Sequence, residues 1–479
     1  MTKRDKNNNV IISVPASPGY EHLETVVLQA HTDMVCEKNA GHPHDFLRDP
    51  IRLVYKTVNG VRFVSADGTT LGADNGIGVA YALAAACDGV CRPPLELLLT
   101  TDEEEGLTGA QNLSPDFVSG RYLLNLDSET EGTIIAGCAG GVSVSLKKSF
   151  DPYFMDEKHA AQFSFYTIQI SGLAGGHSGT DINKPRASAN VILAKILASV
   201  AGKMESSELE FRLIEMTGGS VHNAIAREAS CAFMTDIPFE TIERCVFDFQ
   251  TAVVNDCSFD EPDLQICLVK CDFPEMVRKY EIPEKKSHVP VLTTKNSSRI
   301  ISLLLSIPHG VFEMSDKIPG LVLLSGNFAV VRSEFSAADD EEDGNVKGKI
   351  KIIYNLRSGN EVKLKEKTKD LMNIGKKYDF HASVFSSYKP WEPDLNAPLL
   401  KMCRNVYQET FQKEPIVSAI HAGLECGAFV RIYPGMQMIS IGPDIIDAHS
   451  PDETLDLDSS ARVWTFIKAI LGKFEFKKG

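Results

Sequence analysis

The chain has 479 residues, 43% of them hydrophobic and 24% charged, the makeup of an ordinary globular protein with room for about two or three domains. Its formal net charge of -15 argues against nucleic-acid binding through general phosphate attraction, which needs a basic face, and favours small-molecule or peptide substrates. Residues 1–9 are polar and lack the apolar stretch of a secretory signal, and no run approaches the roughly 20 apolar residues of a membrane span, so a cytoplasmic protein is expected.

The 11 cysteines are scattered without paired spacing and are expected to be reduced and structural, with Cys87 and Cys91 buried at the end of an alanine-rich helix.

Residues 26–30 form a short apolar run that reads as a buried strand ending in His31-Thr32-Asp33. Period-two geometry puts His31 and Asp33 on one face. Either Asp33 orients a metal-binding imidazole, or a solvent-facing histidine precedes an N-cap aspartate. Next comes Leu71-Gly72-Ala73-Asp74-Asn75-Gly76-Ile77-Gly78, a turn leading into a helix over residues 76–87 that Asp88-Gly89 closes. Asp74 reads either as a helix N-cap or as a carboxylate offering its two oxygens to two metals.

A second apolar strand, residues 95–99, runs into Thr101-Asp102-Glu103-Glu104-Glu105-Gly106. Carboxylates against a buried strand are costly unless cations neutralise them; a solvated acidic loop is the alternative. A third strand, residues 122–126, ends at Asp127-Ser128-Glu129, where an Asx turn is the simpler reading.

Residues 149–382 mix alternating strands, such as 167–170 and 349–356, with helices such as 187–200, and read as an inserted α+β domain. Within it, the acidic run Asp339, Asp340, Glu341, Glu342, Asp343 reads as a solvated loop. A further strand at 436–441 and a helix at 459–474 restore α/β character, so residues 1–148 and 383–479 are expected to form one catalytic domain. Its sheet should be largely parallel, with the chemistry beyond the carboxyl ends of the strands. His449, in Asp447-Ala448-His449-Ser450-Pro451-Asp452-Glu453, can reach the earlier segments only if both ends of the chain build that sheet. Together the five segments match the nitrogen and oxygen inventory of a paired zinc site.

The segments H-T-D-M, T-L-G-A-D-N-G-I-G, T-D-E-E-E-G, N-L-D-S-E, G-C-A-G-G, S-G-L-A-G-G-H-S-G, H-A-G-L-E-C-G and H-S-P-D-E resemble those of bacterial aminoacyl-histidine dipeptidases. These are co-catalytic zinc peptidases related to aminoacylases and carboxypeptidases, and the match runs in order through nearly the whole chain. The resemblance implies an α/β zinc-peptidase domain with a mostly parallel central sheet, interrupted by a large α+β lid. It implies two Zn2+ ions per subunit, with Co2+ or Mn2+ as substitutes: His31, Asp74 and Asp127 on one, Asp74, Glu104 and His449 on the other. Glu103 would be the general base, Asp33 would orient His31, and the peptide after Asp74 would be cis. His177 would stabilise the oxyanion from the lid, while Asn223, Arg357 and Gly423 would contact substrate, Arg357 pairing with its free carboxylate.

The implied reaction is hydrolysis of a dipeptide, Xaa-His such as carnosine, by zinc-activated water. An amide deacylase with the same metals and an inactive homologue are the alternatives, and a homodimer is left open. Two departures stand out: Ala226 replaces a proline after N-A-I, and family members carry a further segment before the position matching Asp5. The long insertion could hold two modules, which would let His177 act within its own subunit.

Overall fold

Apolar runs without polar alternation become strands covered on both faces, and the first unit is built on them. The computed structural model describes residues 1–87, 89, 91–204, 209–256, 258–280, 287–337 and 346–478. The chain divides into two compact units, Met1–Ala139 with Lys389–Gly479, and Gly140–Tyr388.

The first unit holds an eight-stranded sheet in the order Thr2–Arg4, Val10–Val14, Leu95–Thr100, Val26–His31, Tyr122–Asn125, Gln437–Ser440, Thr133–Cys138, Ile416–Ile420. Its central four strands are mutually parallel. Successive residues face opposite sides, as strand geometry requires. Val26, Leu28, Leu95, Leu97, Leu124 and Ile439 pack under the helices Ala73–Cys87, Pro398–Phe411 and Leu457–Gly472. Val27, Leu98, Leu123 and Met438 pack on the other face with Leu113, Phe429 and Tyr433. A small four-stranded sheet adds Ile445–Ile446, Thr454–Asp456, Val61–Ala66 and Leu53–Val58.

In the second unit the main path of a nine-stranded sheet runs Gln265–Cys271, Ser164–Ser171, Ala229–Thr235, Phe211–Gly218, Val322–Ala337, Val346–Ser358, Gly140–Phe150, His381–Tyr388, and Gly310–Met314 also pairs with Val322–Ala337. Every pairing is antiparallel. The helices Ala189–Ala201, Phe239–Val254, Thr294–Ser306 and Glu361–Lys377 send Leu193, Leu197, Ile242, Ile300, Leu303, Leu364 and Leu371 into its core. Two groups of strands meet where Phe211–Gly218 pairs with Val322–Ala337 at Thr217↔Arg332 and Gly218↔Val331.

Two expectations shift. The divisions fall after Ala139 and after Tyr388, not at 148/149 and 382/383, because Gly140–Phe150 and His381–Tyr388 pair with each other in the second sheet. Cys87 and Cys91 are exposed, since the alanine-rich helix ends at the surface there. The central sheet is mostly parallel, as expected, with antiparallel pairings toward its edges. The acidic run at 339–343 and Asp88 lie outside the described residues. Among the described residues no helix is long and apolar enough to cross a membrane.

Candidate metal centre

Because Val26–His31, Leu95–Thr100 and Tyr122–Asn125 run parallel in near-even register, His31, the carboxylate turn after Thr100 and Asp127 all leave the same edge of the sheet. The small sheet supplies the rest. Thr454–Asp456 pairs with Val61–Ala66, which leads into the loop carrying Asp74, and with Ile445–Ile446, so residues 447–453 lie beside that loop.

Asp74 is the centre of the cluster. Its Oδ1 lies 3.0 Å from His31 Nε2 and its Oδ2 lies 2.9 Å from His449 Nε2. Each imidazole nitrogen faces a second acid: His31 Nε2 is 3.2 Å from Asp127 Oδ1, and His449 Nε2 is 3.2 Å from Glu104 Oε2. One ring nitrogen carries at most one proton and cannot bond both acidic oxygens fully, so the arrangement is one that could hold a metal ion. Three groups bring ligand atoms within 4.8 Å of one another: His31, Asp74 and Asp127; His31, Glu103 and Glu104; Asp74, Glu104 and His449. The peptide between Asp74 and Asn75 is cis.

The electrostatics point the same way. Hydrogen bonds donated to Asp74 and then to Glu104 raise the His449 imidazole to about 11. Burial alone would lower His31, but Asp127, Asp33 and Asp74 outweigh it and hold that ring far above its usual value. Burial raises Asp127 to about 6 against the pull of His31. Glu103 rises well above the carboxylate range, through burial first and then the negative charges of Asp127 and Glu425. Glu104 Oε1 is buried with no hydrogen-bond partner among the described residues, and Asp127 Oδ1, also buried, has only its 3.2 Å approach to His31 Nε2. Buried acceptors left in this way fit a divalent cation, and a set of imidazole and carboxylate donors suits zinc, cobalt or manganese.

Asp33 sits behind these groups. His31 Nδ1 faces the main-chain oxygen of Asp33 at 3.0 Å, while the Asp33 carboxylate stands 3.6 Å away and accepts from Glu104 N at 3.1 Å. Asp33 thus meets His31 through both its backbone carbonyl and, at longer range, its carboxylate, which also fixes the acidic turn. Burial would raise Asp33, but the bonds from His31 and from the Glu104 and Glu103 main chain leave it below its usual value.

Below the cluster lies a buried polar network absent from the sequence reading. Asn125 donates to Gln29 at 2.6 Å, Gln29 to Glu425 at 2.5 Å, and Thr100 to Glu425 at 2.8 Å. Gln29, Thr100 and Asn125 stand on three neighbouring strands, each two or three positions before a candidate site residue. Glu425 is fully buried and raised to about 8 by burial, against the opposing pull of His31. Its signal in the sequence is a carboxylate inside Leu424-Glu425-Cys426; Gly423, the residue expected to act there, lies in the loop before the helix Glu425–Ile432.

The other expected residues belong to the second unit. Arg357 is 5% exposed and donates to Ser178 Oγ at 3.2 Å and to Tyr388 Oη at 2.8 Å, with Nη2 3.2 Å from His177 Nε2. Among the described residues no carboxylate pairs with this buried guanidinium. His177 lies on the short strand Gly176–His177, paired with Ala224–Ile225, and the exposed Asn223 accepts from Ser178 N at 2.8 Å through its carbonyl.

The profile of Peptidase family M20/M25/M40 matches residues 27–473. The chain is 37% identical over 478 residues to the cytosol non-specific dipeptidase of Escherichia coli (strain K12), covering 99% of this chain and 90% of the relative. It is similar to the crystal structure of aminoacylhistidine dipeptidase from Vibrio alginolyticus at 33% identity and a TM-score of 0.77, covering all of this chain and 90% of the other.

Proposed function

Because this chain belongs to Peptidase family M20/M25/M40, we propose that its imidazole and carboxylate cluster holds two divalent ions, Zn2+ foremost, and hydrolyses dipeptides, Xaa-His among them. The chain is a metallopeptidase, a hydrolase. The observation that carries the two-ion reading is Asp74, with one oxygen beside each histidine. His31, Asp74 and Asp127 would hold one ion and Asp74, Glu104 and His449 the other.

A bound ion lowers the pKa of coordinated water toward about 7 and polarises the scissile carbonyl. The chain's own groups do the rest. Backbone acceptance at His31 Nδ1 directs the Nε2 lone pair into the cluster. Glu103, whose affinity for protons burial has raised, takes a proton from water and returns it to the leaving amine. Arg357, buried without a carboxylate partner among the described residues, is suited to a peptide's free carboxylate. By the family pattern, His177, Asn223 and Gly423 contact substrate. A cytoplasmic site of action belongs to the same proposal, supported by the name of the E. coli relative.

The test is an assay of zinc-loaded protein against carnosine, a histidine-free dipeptide and an N-acetyl amino acid, with bound metal quantified. Cleavage of dipeptides is expected. Hydrolysis confined to the N-acetyl amino acid, or none by metal-loaded protein, would overturn the reading.

A further inference from the structure

Glu453 is 2% exposed, yet nothing in the chemistry above uses it. Its carboxylate faces four consecutive main-chain N–H groups. Leu71 N and Gly72 N donate to Oε2 at 2.7 and 3.0 Å, and Ala73 N and Asp74 N donate to Oε1 at 2.8 and 3.3 Å. Those N–H groups precede the regular part of the helix, which begins only after the non-helical Asp74 and Asn75, so no turn of that helix satisfies them. Gly72 has φ +72°, which lets the loop curl around the carboxylate. Glu453 is also four residues beyond His449, and its N–H donates to the Ser450 carbonyl at 3.1 Å, closing the turn that follows that histidine.

We infer that Glu453 is a positioning residue that fixes the loop of Asp74 against the segment of His449, setting the separation at which one carboxylate serves two ions. The inference rests on the two-ion reading and adds the residue that determines its geometry. A buried anion accepting four N–H groups is hard to replace: an amide keeps one oxygen and turns an NH2 toward two donors, leaving them unsatisfied. Loss of the anchor frees Asp74 and so weakens both ions together, by about 10- to 100-fold in affinity.

The experiment compares wild type, Glu453→Gln, Glu453→Asp and His449→Ala, each checked for fold by circular dichroism. Two readouts are taken: zinc titration of chelator-stripped protein, and hydrogen exchange of the amides of residues 71–74 in the metal-free state. Glu453→Gln is expected to speed exchange at those amides and to weaken both ions in parallel; Glu453→Asp should recover part of each, and His449→Ala should weaken one ion. Wild-type exchange in Glu453→Gln, or loss of only the ion held by His449, would overturn the inference. If Glu453→Gln does not fold, the same readings on Glu453→Asp decide. Wild type binding fewer than two ions defeats the two-ion reading, while metal-free exchange still decides whether Glu453 anchors the loop.

Discussion

Asn75 reaches across to the main-chain oxygen of Leu126, its Nδ2 donating at 2.8 Å, and so ties the residue after Asp74 to the residue before Asp127. Gly78 leaves room for that bond. A Cβ at Gly78 would stand 2.2 Å from Asn75 Oδ1 and 2.6 Å from Leu126 O, and the second atom is backbone. Gly78→Ala is therefore expected to cost about 1–3 kcal/mol in stability and to weaken metal binding. Denaturant unfolding and zinc titration of the variant read both; a wild-type midpoint with wild-type zinc affinity would show that the loop yields freely.

Asp74→Ala should lose both ions at once, whereas Asp127→Ala should lose one, because only Asp74 has an oxygen against each histidine. Metal content after dialysis measures this. Retention of one tightly held ion by Asp74→Ala would make Asp74 a terminal ligand.

Glu103→Gln keeps its shape and loses its proton affinity, and the two proposed ligand sets do not need it. Metal content should stay at the wild-type level while turnover falls by roughly 10²-fold or more. Near-normal turnover removes Glu103 from the role of base.

Arg357→Lys retains the charge but not the planar fork that bonds Ser178 and Tyr388 while facing His177. A rise in KM of about tenfold or more is expected for dipeptides with a free carboxylate, with little change for the corresponding dipeptide amides. An equal effect on both substrates would show that Arg357 does not read the carboxylate.

His309 gives the second unit a pH dependence. Its Nδ1 accepts from Phe328 N at 3.2 Å, and burial lowers its pKa to about 4. The unfolded chain binds a proton at 6.5 that the folded one refuses, so the contribution is complete above pH 6.5 and is lost as pH falls toward 4. At most roughly 3 kcal/mol is involved. His309→Asn, which offers an oxygen in place of Nδ1 and does not titrate, should flatten the stability of metal-free protein between pH 7 and 4.5; an unchanged slope would assign the acid sensitivity elsewhere.

The local order of the chain was written in its residues. Apolar runs at 26–30, 95–99, 122–126 and 436–441 could satisfy their side chains only as strands buried on both faces, and each ended at polar groups whose cost implied a partner. Motif resemblance carried the assignment of His31, Asp74, Asp127, Glu104 and His449 to one cluster, since no local pattern links residue 31 to residue 449. What only the tertiary structure decided depends on through-space pairing: which oxygen of Asp74 faces which histidine, and that the backbone of Asp33 meets His31 Nδ1. It also decided that Glu425 and Glu453, ordinary acids in the sequence, are buried with Gln29, Thr100 and four loop amides as partners. A hydrogen bond between residues hundreds of positions apart is set by sheet register and loop closure, and neither is encoded at the positions that it joins.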